Sequence, residues 1–190
     1  MIAGLVLAAG GARRFGSPKQ LAELDGVPLL QHAIDAMLAV PALDRVVVVL
    51  GAVAEEIAAA VRFASAEPVV CREWEEGMAA SLRCGVADLE GADWAVVTLG
   101  DMPGVTPEAI EAVMAAIGHD VDAVRATYGT GRAGHPVALS RTLLDRVGDL
   151  RGDVGARDLL RGARVREVEA LHLARPDDVD TPEELEAIRA

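Results

Sequence analysis

A glycine-rich, cationic stretch near the start of the chain has the composition of an anion-binding site. The apolar run Ile2 to Ala8 leads into Ala9-Gly10-Gly11-Ala12, and Arg14 and Lys19 follow within a few residues. Glycine lets the backbone turn sharply and come close to a ligand. Unpaired backbone N–H groups in such a turn, together with the charges of Arg14 and Lys19, predict a concave site for a polyphosphate.

Two familiar phosphate-binding loops do not match this stretch. A Walker loop has Gly-Lys followed by Ser or Thr, whereas Lys19 lies between Pro18 and Gln20. The dinucleotide fingerprint G-x-G-x-x-G is also absent, because the glycines of the stretch do not have its spacing. The stretch is therefore predicted to be a phosphate loop of another type.

Two carboxylates fall where a sheet would present them to a ligand. Asp101 comes directly after the apolar run Trp94 to Leu99, and Asp180 lies just before a proline-started helical pattern. Mg²⁺ takes one or two carboxylates together with phosphate oxygens, so the pair predicts a magnesium site. The alternative is structural: Asp101 would cap the turn that follows it, and Asp180 would cap the final helix.

Small residues recur every four positions after a tryptophan. Gly77, Ser81 and Gly85 follow Trp74 at a spacing that places them on one side of a helix. Small side chains there allow a nucleobase to approach the backbone, or another element to pack closely against the helix. The spacing alone leaves both interpretations open.

The order of apolar runs and helical patterns predicts an α/β fold with a mostly parallel sheet and helices on both faces. The predicted strands are Ile2 to Ala8, Arg45 to Leu50, Glu67 to Cys71, Trp94 to Leu99 and Val165 to Glu169. The predicted helices are Pro28 to Leu38, Ala54 to Phe63, Pro107 to Ile117, Arg141 to Val147, Ala156 to Leu160 and a terminal helix capped by Thr181. Residues 120–139 have a looser pattern, with strand-like ends and a glycine-rich turn, and are predicted to be an insertion over the active face.

The composition limits the kinds of partner and the cellular compartment that we expect for this chain. The 190 residues suit one domain over 1–190, and the net charge of −12 argues against a nucleic-acid partner. No apolar run is long enough to cross a membrane and no signal-peptide pattern opens the chain, so we expect a cytoplasmic protein with no membrane partner. Cys71 and Cys84 lack C-x-x-C spacing and are predicted to be reduced, packed thiols rather than a zinc site.

Five motifs together resemble one family, the MobA/MocA-type nucleotidyltransferases with a GT-A-like (Rossmann-like) fold, and most closely its molybdenum cofactor cytidylyltransferases. The stretch from Leu7 to Lys19 is similar to the family's L-A-A-G-x-x-x-R-x-G-x-x-K signature. The five are Leu7-Ala8-Ala9-Gly10 with Arg14, Gly16 and Lys19, then Trp74 to Gly85, Gly134-His135-Pro136-Val137, Gly152 to Arg157, and Asp178 to Glu183. The chain departs from many relatives at Ala12, where they carry a small hydroxyl residue, and at Met102, where they carry Gln.

The resemblance implies transfer of a nucleoside monophosphate, most directly CMP from CTP, to a phosphate-bearing acceptor such as molybdopterin. It implies Lys19, Arg14 and Asp101 as catalytic residues, with Mg²⁺ on Asp101 and Asp180. The nucleotide-binding residues would be Leu7, Ala8, Ala9, Gly10, Gly11, Ala12, Lys19, Gly77 and Ser81, and those for the acceptor Arg132, His135 and Arg157. For His135, a turn histidine bonded to the backbone is the structural alternative. For Arg132 and Arg157, each taken alone, the alternative is a solvated surface charge.

Three other functions fit the same residues. A guanylyl or other nucleotidyl transferase would share the fold and the loop. Some relatives are described as NAD(P)H-dependent oxidoreductases acting on nicotine-derived dyes, and a non-catalytic chaperone for a molybdoenzyme would also bind the cofactor. The partners expected in common are a nucleoside triphosphate, a phosphate-bearing small molecule and, for the last function, a molybdoenzyme.

Overall fold

The computed structural model describes residues 1–11 and 15–189, which form an α/β structure of nine strands and seven α-helices. The strands are β1 Ile2–Ala8, β2 Glu23–Leu24, β3 Val27–Pro28, β4 Arg45–Leu50, β5 Glu67–Val70, β6 Trp94–Leu99, β7 Ala123–Tyr128, β8 Arg132–Ser140 and β9 Val165–Glu169. The helices are α1 Leu29–Leu38, α2 Ala54–Ala60, α3 Met78–Ala87, α4 Pro107–Ala115, α5 Arg141–Leu144, α6 Ala156–Leu159 and α7 Pro182–Arg189. Three single 3₁₀ turns lie at Lys19–Leu21, Trp74–Glu76 and Val147–Asp149.

Seven strands form one sheet in the order β5-β4-β1-β6-β8-β7-β9, and β2 and β3 form a separate small hairpin. The pairs β1/β4, β1/β6, β4/β5 and β7/β9 are parallel, whereas β8 is antiparallel to both of its neighbours. The predicted mostly parallel sheet is therefore confirmed.

The prediction of an insertion at residues 120–139 is wrong. These residues form β7 and most of β8, which are strands of the main sheet rather than a separate lid. Their hairpin turns the chain back between β6 and β7, so that β8 pairs with both of them. A hairpin inside a sheet breaks the alternation of strand and helix, and that alternation was the basis of the prediction.

Both faces of the sheet are buried, as its apolar strands require. In β4 successive valines alternate between two cores: Val46 and Val48 face the helices α1, α2 and α4, while Val47 and Val49 face α3. Residues of β1 and β6 alternate in the same way. The central strands are thus held on both sides, and their carboxyl ends form a rigid edge.

The chain reverses its direction of travel across the sheet next to β1. From β1 it moves through α1 to β4 and through α2 to β5, and then α3 returns it past β1 to β6. The carboxyl ends of β1 and β6 therefore lie side by side at the switch in strand order, which is where open α/β sheets bind their ligands. Among the described helices, none combines the length and the apolar character that a membrane span requires.

Candidate active site

The loop after β1 is held in place by a buried glutamine. Gln20 is 2% exposed, and its Nε2 donates to the carbonyl oxygens of Ala8 at 3.0 Å and of Gly10 at 2.7 Å. These bonds fix the backbone where the strand ends and the glycine loop begins. The backbone at Ala8 and Gly10 is thus held by a side chain of the protein itself.

A cation and two carboxylates meet beside this loop. Nζ of Lys19 lies 2.5 Å from Oδ2 of Asp101 and 2.6 Å from Oδ1 of Asp180. The side chains of Lys19 and Asp101 are only 14% and 17% exposed, and that of Asp180 is 39% exposed. Lys19 is the one lysine of the chain, whose other basic side chains are arginines and histidines. We call these three residues the Lys19 cluster.

The segment 175–180 crosses the end of β6 and brings Asp180 to the cluster. Backbone N–H of Arg175 donates to the carbonyl of Gly104 at 3.0 Å, and that of Val179 donates to the carbonyl of Asp101 at 3.0 Å. Val179 is fully buried. The late segment is therefore attached to the loop after β6, although the two lie far apart in the sequence.

The cap of helix α7 is made by Thr181 and Glu184. Oε2 of Glu184 accepts from the backbone N–H groups of Asp180 and Thr181 at 2.7 and 2.9 Å, and Oγ1 of Thr181 accepts from N–H of Glu184 at 3.3 Å. This is a capping box. Since the cap is formed by these two side chains, the structural alternative for the Asp180 carboxylate does not apply.

Burial and charge act in opposite directions within the cluster. Burial lowers the pKa of Lys19, but Asp101 and Asp180 outweigh it and hold the pKa above its ordinary value. Desolvation raises the pKa of Asp101, with Lys19 opposing that shift and the charge of Asp178 adding to it. The ammonium is therefore firmly charged, and it neutralises carboxylates that the site would otherwise hold at a high electrostatic cost.

The cluster has the donor set of a divalent cation site. Oδ1 of Asp101 is buried without a hydrogen-bond partner among the described residues, while the other oxygen of the same carboxylate binds Lys19. A second carboxylate, Asp180, converges on the same point. Two hard oxygen ligands beside a phosphate loop suit Mg²⁺ or Mn²⁺, which fill their remaining positions with water and phosphate oxygens.

A cavity of about 380 Å³ opens between the loop, the end of β6 and the start of α3, a size typical of small-ligand sites. The sequence-predicted residues Leu7, Ala8, Ala9, Gly10, Gly11, Lys19, Gly77, Ser81 and Asp101 all line it. Gln20, Trp74, Glu75, Met78, Leu99, Gly100 and Asp153 complete the wall. Ala12 and Arg14, also predicted to bind the nucleotide, lie outside the described residues.

The three small residues around α3 have three different surroundings. Ser81 is 7% exposed and faces the cavity. Gly85 is packed against β1 and β4, where a Cβ would lie 2.5 Å from the Leu5 side chain and 2.8 Å from that of Val49. Gly77 precedes the helix with φ of 101°. Of the two interpretations left open by the spacing, close packing holds at Gly85. Ser81 lines the cavity, and its contact with a nucleobase stays a prediction.

Two cavity contacts were missed by the sequence reasoning. The Trp74 ring packs on the glycine loop, so that a Cβ on Gly11 would lie 3.0 Å from it. Asp153 packs over Gly77, where a Cβ would meet Oδ1 of Asp153 at 2.5 Å and backbone atoms of Gly152 at 2.6–2.7 Å. Both residues belong to motifs quoted above, so the motifs were the available signal. For Gln20, no periodicity or spacing in the sequence gave a signal.

The residues predicted for the acceptor are not in the described cavity wall. Arg132 is 59% exposed and faces Asp177 at 3.6 Å, and Arg157 is exposed on α6. His135 is half-buried, and burial lowers the pKa of its imidazole to about 4, with the charge of Asp178 opposing the shift. Its carbonyl accepts from the Tyr128 hydroxyl at 2.6 Å.

The cysteine prediction is wrong. The structure joins Cys71, at the end of β5, to Cys84 in α3 by a disulfide, with their Cα atoms 5.7 Å apart. Their separation of 13 residues is not a recognisable short motif. It is the return of the chain from β5 into α3 that brings the two side chains together.

The fold and the site define a class: an α/β protein with a glycine-containing loop at its topological switch point and a cation–dicarboxylate cluster beside it. A family model described as "MobA-like NTP transferase domain" matches residues 4–170. The chain therefore belongs to this family and is a nucleotidyltransferase. The family named by the sequence resemblance is confirmed.

Individual relatives cover nearly the whole chain. It is 30% identical to nicotine blue oxidoreductase of Paenarthrobacter nicotinovorans, over 97% of this chain and 94% of that protein. It is 32% identical to purine catabolism protein PucB of Bacillus subtilis, over 98% and 95%. The crystal structure of Rv0371c from Mycobacterium tuberculosis superposes with a TM-score of 0.85 at 32% identity, covering 99% and 97% of the two chains. Rv0371c has also been solved in complex with manganese, at 29% identity and a TM-score of 0.82, covering 98% and 97%.

Proposed function

We propose that the chain transfers CMP from CTP to a phosphate-bearing acceptor, with molybdopterin as the leading candidate, and releases pyrophosphate. The acceptor phosphate oxygen forms a bond to the α-phosphorus as the bond to the pyrophosphate oxygen breaks. No covalent enzyme intermediate is needed. The protein's task is then to position the two substrates and to stabilise the charge of the leaving group.

One observation carries this proposal: the Lys19 cluster lies directly beside the glycine loop, at the wall of the cavity. A triphosphate in the cavity would place its phosphates between the loop and the ammonium. Backbone N–H groups of Gly10 and Gly11 would bind the phosphate oxygens, and the charge of Lys19 would stabilise the departing pyrophosphate.

Lys19 would also change partners during this reaction. Its ammonium now lies between Asp101 and Asp180. When a triphosphate enters, the flexible side chain would exchange Asp180 for a phosphate oxygen. Asp180, together with Oδ1 of Asp101, would then hold Mg²⁺ or a similar cation. Such a cation supplies charge neutralisation at the phosphates. The manganese complex of Rv0371c supports this assignment by analogy.

The wall formed by α3 would receive the base. Ser81 offers a hydroxyl, and the ring of Trp74 offers an apolar surface beside the loop. Gly77 lets this wall begin close to the loop that carries Asp153. Arg132 and His135 would then meet the acceptor outside the cavity, on the side of segment 175–180, and Arg157 would meet it from α6. The choice of cytosine over guanine rests on the resemblance of the opening Leu7-Ala8-Ala9-Gly10 to the cytidylyl branch of the family.

A second function is favoured by one relative. Nicotine blue oxidoreductase matches this chain over almost its whole length, and a nicotinamide cofactor would also bring a pyrophosphate to the cavity. Against it, the chain lacks the G-x-G-x-x-G fingerprint. Binding of NADH in preference to every triphosphate would favour this second function.

The deciding experiment measures ligand binding and pyrophosphate release on the same protein. The thermal midpoint would be recorded with Mg²⁺ and, separately, CTP, GTP, ATP and NADH. A ligand at a hundred times its Kd adds about 2.7 kcal/mol, which raises the midpoint of a protein of this size by roughly 5–10 °C. Pyrophosphate release would then be followed with molybdopterin as acceptor. We expect the largest shift and the fastest release with CTP.

Other results would replace this proposal. A larger shift with GTP would assign the guanylyl reaction, and a shift with NADH alone would assign the oxidoreductase. Binding of CTP without pyrophosphate release, with molybdopterin and with simpler phosphate monoesters alike, would favour a chaperone that binds the cofactor for a molybdoenzyme. Each result contradicts the cytidylyl transfer in a different way.

A further inference from the structure

The two cysteines flank a segment of the chain that forms a large part of the cavity wall. Residues 72–83, which we call the wall segment, lie between Cys71 and Cys84. They contribute five residues to the cavity, namely Trp74, Glu75, Gly77, Met78 and Ser81. The disulfide closes the wall segment into a loop whose two ends are tied together. The disulfide therefore joins the two ends of a segment that forms part of the cavity wall.

The disulfide connects two elements that otherwise meet loosely. β5 is an edge strand, paired only with β4 within the described sheet, and its residues are largely exposed. α3 packs on β1 and β4 through Gly85. Apart from the bond, the wall segment packs on the loop at residues 150–153 through Gly77 and donates two hydrogen bonds to it. N–H of Ala79 donates to the carbonyl of Gly152 at 3.1 Å, and Arg83 donates to that of Leu150 at 2.8 Å.

The reduced form of the pair also has hydrogen-bond partners in place. Sγ of Cys71 lies 3.5 Å from the carbonyl oxygen of Ala80, within reach of a thiol donor. Sγ of Cys84 lies 3.8 Å from Oε2 of Glu73. Since both thiols would find acceptors without a backbone rearrangement, the dithiol and the disulfide are both compatible with this fold. The pair therefore has the features of a reversible bond.

The two sulfurs differ in access. Cys71 is 1% exposed, whereas Cys84 is only partly buried on the outer side of α3. An attacking thiolate therefore reaches Sγ of Cys84 first, and Cys71 is the buried leaving group. In reducing compartments disulfides are rare, and those that form are typically transient and redox-sensing.

We propose that Cys71 and Cys84 form a reversible thiol–disulfide site that controls nucleotide binding by fixing the wall segment. A small-molecule thiolate attacks Sγ of Cys84 and breaks the bond between the cysteines. Cys71 leaves with the electron pair and takes up a proton. A second thiolate then attacks the small-molecule sulfur of the mixed disulfide and releases Cys84 as a thiol. Two small thiols are oxidised to one disulfide, and the protein gains two electrons and two protons.

The expected effect on nucleotide affinity follows from the conformational entropy that is lost when a loop becomes ordered. A wall segment that is already closed loses less conformational freedom when a ligand binds against it. The disulfide form should therefore bind the nucleotide more tightly than the dithiol form. This inference rests on the proposed nucleotide site, and it adds that the affinity of that site depends on the redox state.

The test compares the oxidised and reduced forms of the unmodified protein. Thiol titration would count the free cysteines before and after treatment with dithiothreitol, and the Kd for CTP with Mg²⁺ would be measured in each form. We expect two thiols to appear and the Kd to rise by about fivefold or more, the lower end of typical coupling between sites. Hydrogen exchange should speed up in residues 72–83 on reduction and stay unchanged in β1.

A double variant, Cys71→Ser with Cys84→Ser, is the matched control. Its Kd should equal that of the reduced protein and should not respond to dithiothreitol. Equal Kd values for the two forms of the unmodified protein, or two free thiols before reduction under air, would overturn the inference. Failure of the proposed nucleotide site looks different, because the oxidised form would then bind no triphosphate at all.

Discussion

The nucleotide side and the acceptor side of the candidate site differ in how deeply their charged side chains are buried. On the nucleotide side, Lys19 and Asp101 are largely buried and in direct contact, and Gln20 fixes the loop from inside the core. On the acceptor side, Arg132 faces Asp177 at 3.6 Å with both side chains more than half exposed. Charges held in a desolvated, ordered setting interact far more strongly than exposed ones.

This difference separates what is common to the reaction from what is specific to a substrate. Every nucleotidyl transfer needs the same charge stabilisation at the phosphates, and we propose that the buried Lys19 and Asp101 of this chain contribute to it. The acceptor side consists of exposed side chains that are open to change. The contrast predicts large effects of substitution on the first side and small ones on the second.

The largest effect is expected at Lys19. Replacing it by Met keeps the length of the side chain and removes its charge, so turnover should fall by about 10²–10³-fold, the usual loss for one transition-state contact. The reason is that the leaving pyrophosphate loses its cation. The kcat for pyrophosphate release measures this directly. A kcat within threefold of the unmodified protein would remove Lys19 from the mechanism.

Asp101→Asn should act through the divalent cation. We expect about a 10²-fold loss of activity and the loss of the magnesium-dependent part of the CTP-induced rise in thermal midpoint. Asp178→Asn is the matched control, since Asp178 is exposed and lies in the same neighbourhood without pairing to Lys19. If both variants respond to magnesium like the unmodified protein, the metal assignment fails.

Gly77→Ala should break the wall of the nucleotide side. The backbone has a positive φ there, and a Cβ would lie 2.6 Å from the backbone of Gly152, so we expect a loss of about 2–3 kcal/mol in the free energy of unfolding. Gly148→Ala is the control, because nothing lies within 4 Å of its Cβ position. Urea unfolding of both variants measures the difference. Equal stabilities would show that the approach of α3 to Gly152 is not tight.

The lowered pKa of His135 predicts that the free energy of unfolding depends on pH. Its pKa is lowered to about 4 from 6.5, so the unfolded chain binds a proton that the folded chain does not between these values. The free energy of unfolding should therefore fall as the pH drops from about 6.5 towards 4, and the histidine should add no slope above that range. The difference between the unmodified protein and His135→Asn isolates this contribution. Identical pH profiles would contradict it.

The smallest effect is expected at the exposed arginines. Arg132→Met and Arg157→Met should raise the KM for the acceptor by at most about fivefold and leave the Kd for CTP unchanged, because exposed charge contacts contribute about 1 kcal/mol or less. Steady-state kinetics with varied acceptor measures this. A loss as large as that of Lys19→Met would abolish the contrast between the two sides.

Many of the residues that line the cavity could be picked out from the sequence because their signals are local. The runs that form β1 and β6 are unbroken and apolar, and the residues that follow them are the ones that line the cavity. Neighbouring parallel strands bring their carboxyl ends together, so residues that follow β1 and β6 were expected at one edge of the sheet. The direct contact between Lys19 and Asp101 was not predicted.

The misses share a physical cause, namely pairings between distant segments. The hairpin of β7 and β8 has a strand-like pattern, but nothing in that pattern gives the direction of β8 or its place beside β6. The Cys71–Cys84 bond depends on how α3 returns over the sheet. The hydrogen bonds of Gln20 depend on a turn three residues long, Lys19–Leu21, whose direction no periodicity encodes.

The most direct test of the Lys19 cluster uses the fact that the chain has one lysine. Protein labelled with nitrogen-15 lysine should give a single side-chain ammonium signal in an NMR spectrum. We predict that this signal shifts strongly when CTP and Mg²⁺ are added together, because Lys19 exchanges a carboxylate for a phosphate oxygen. NADH should leave it in place. A signal that does not move while CTP binds, or one that moves with NADH alone, would contradict the account of this site.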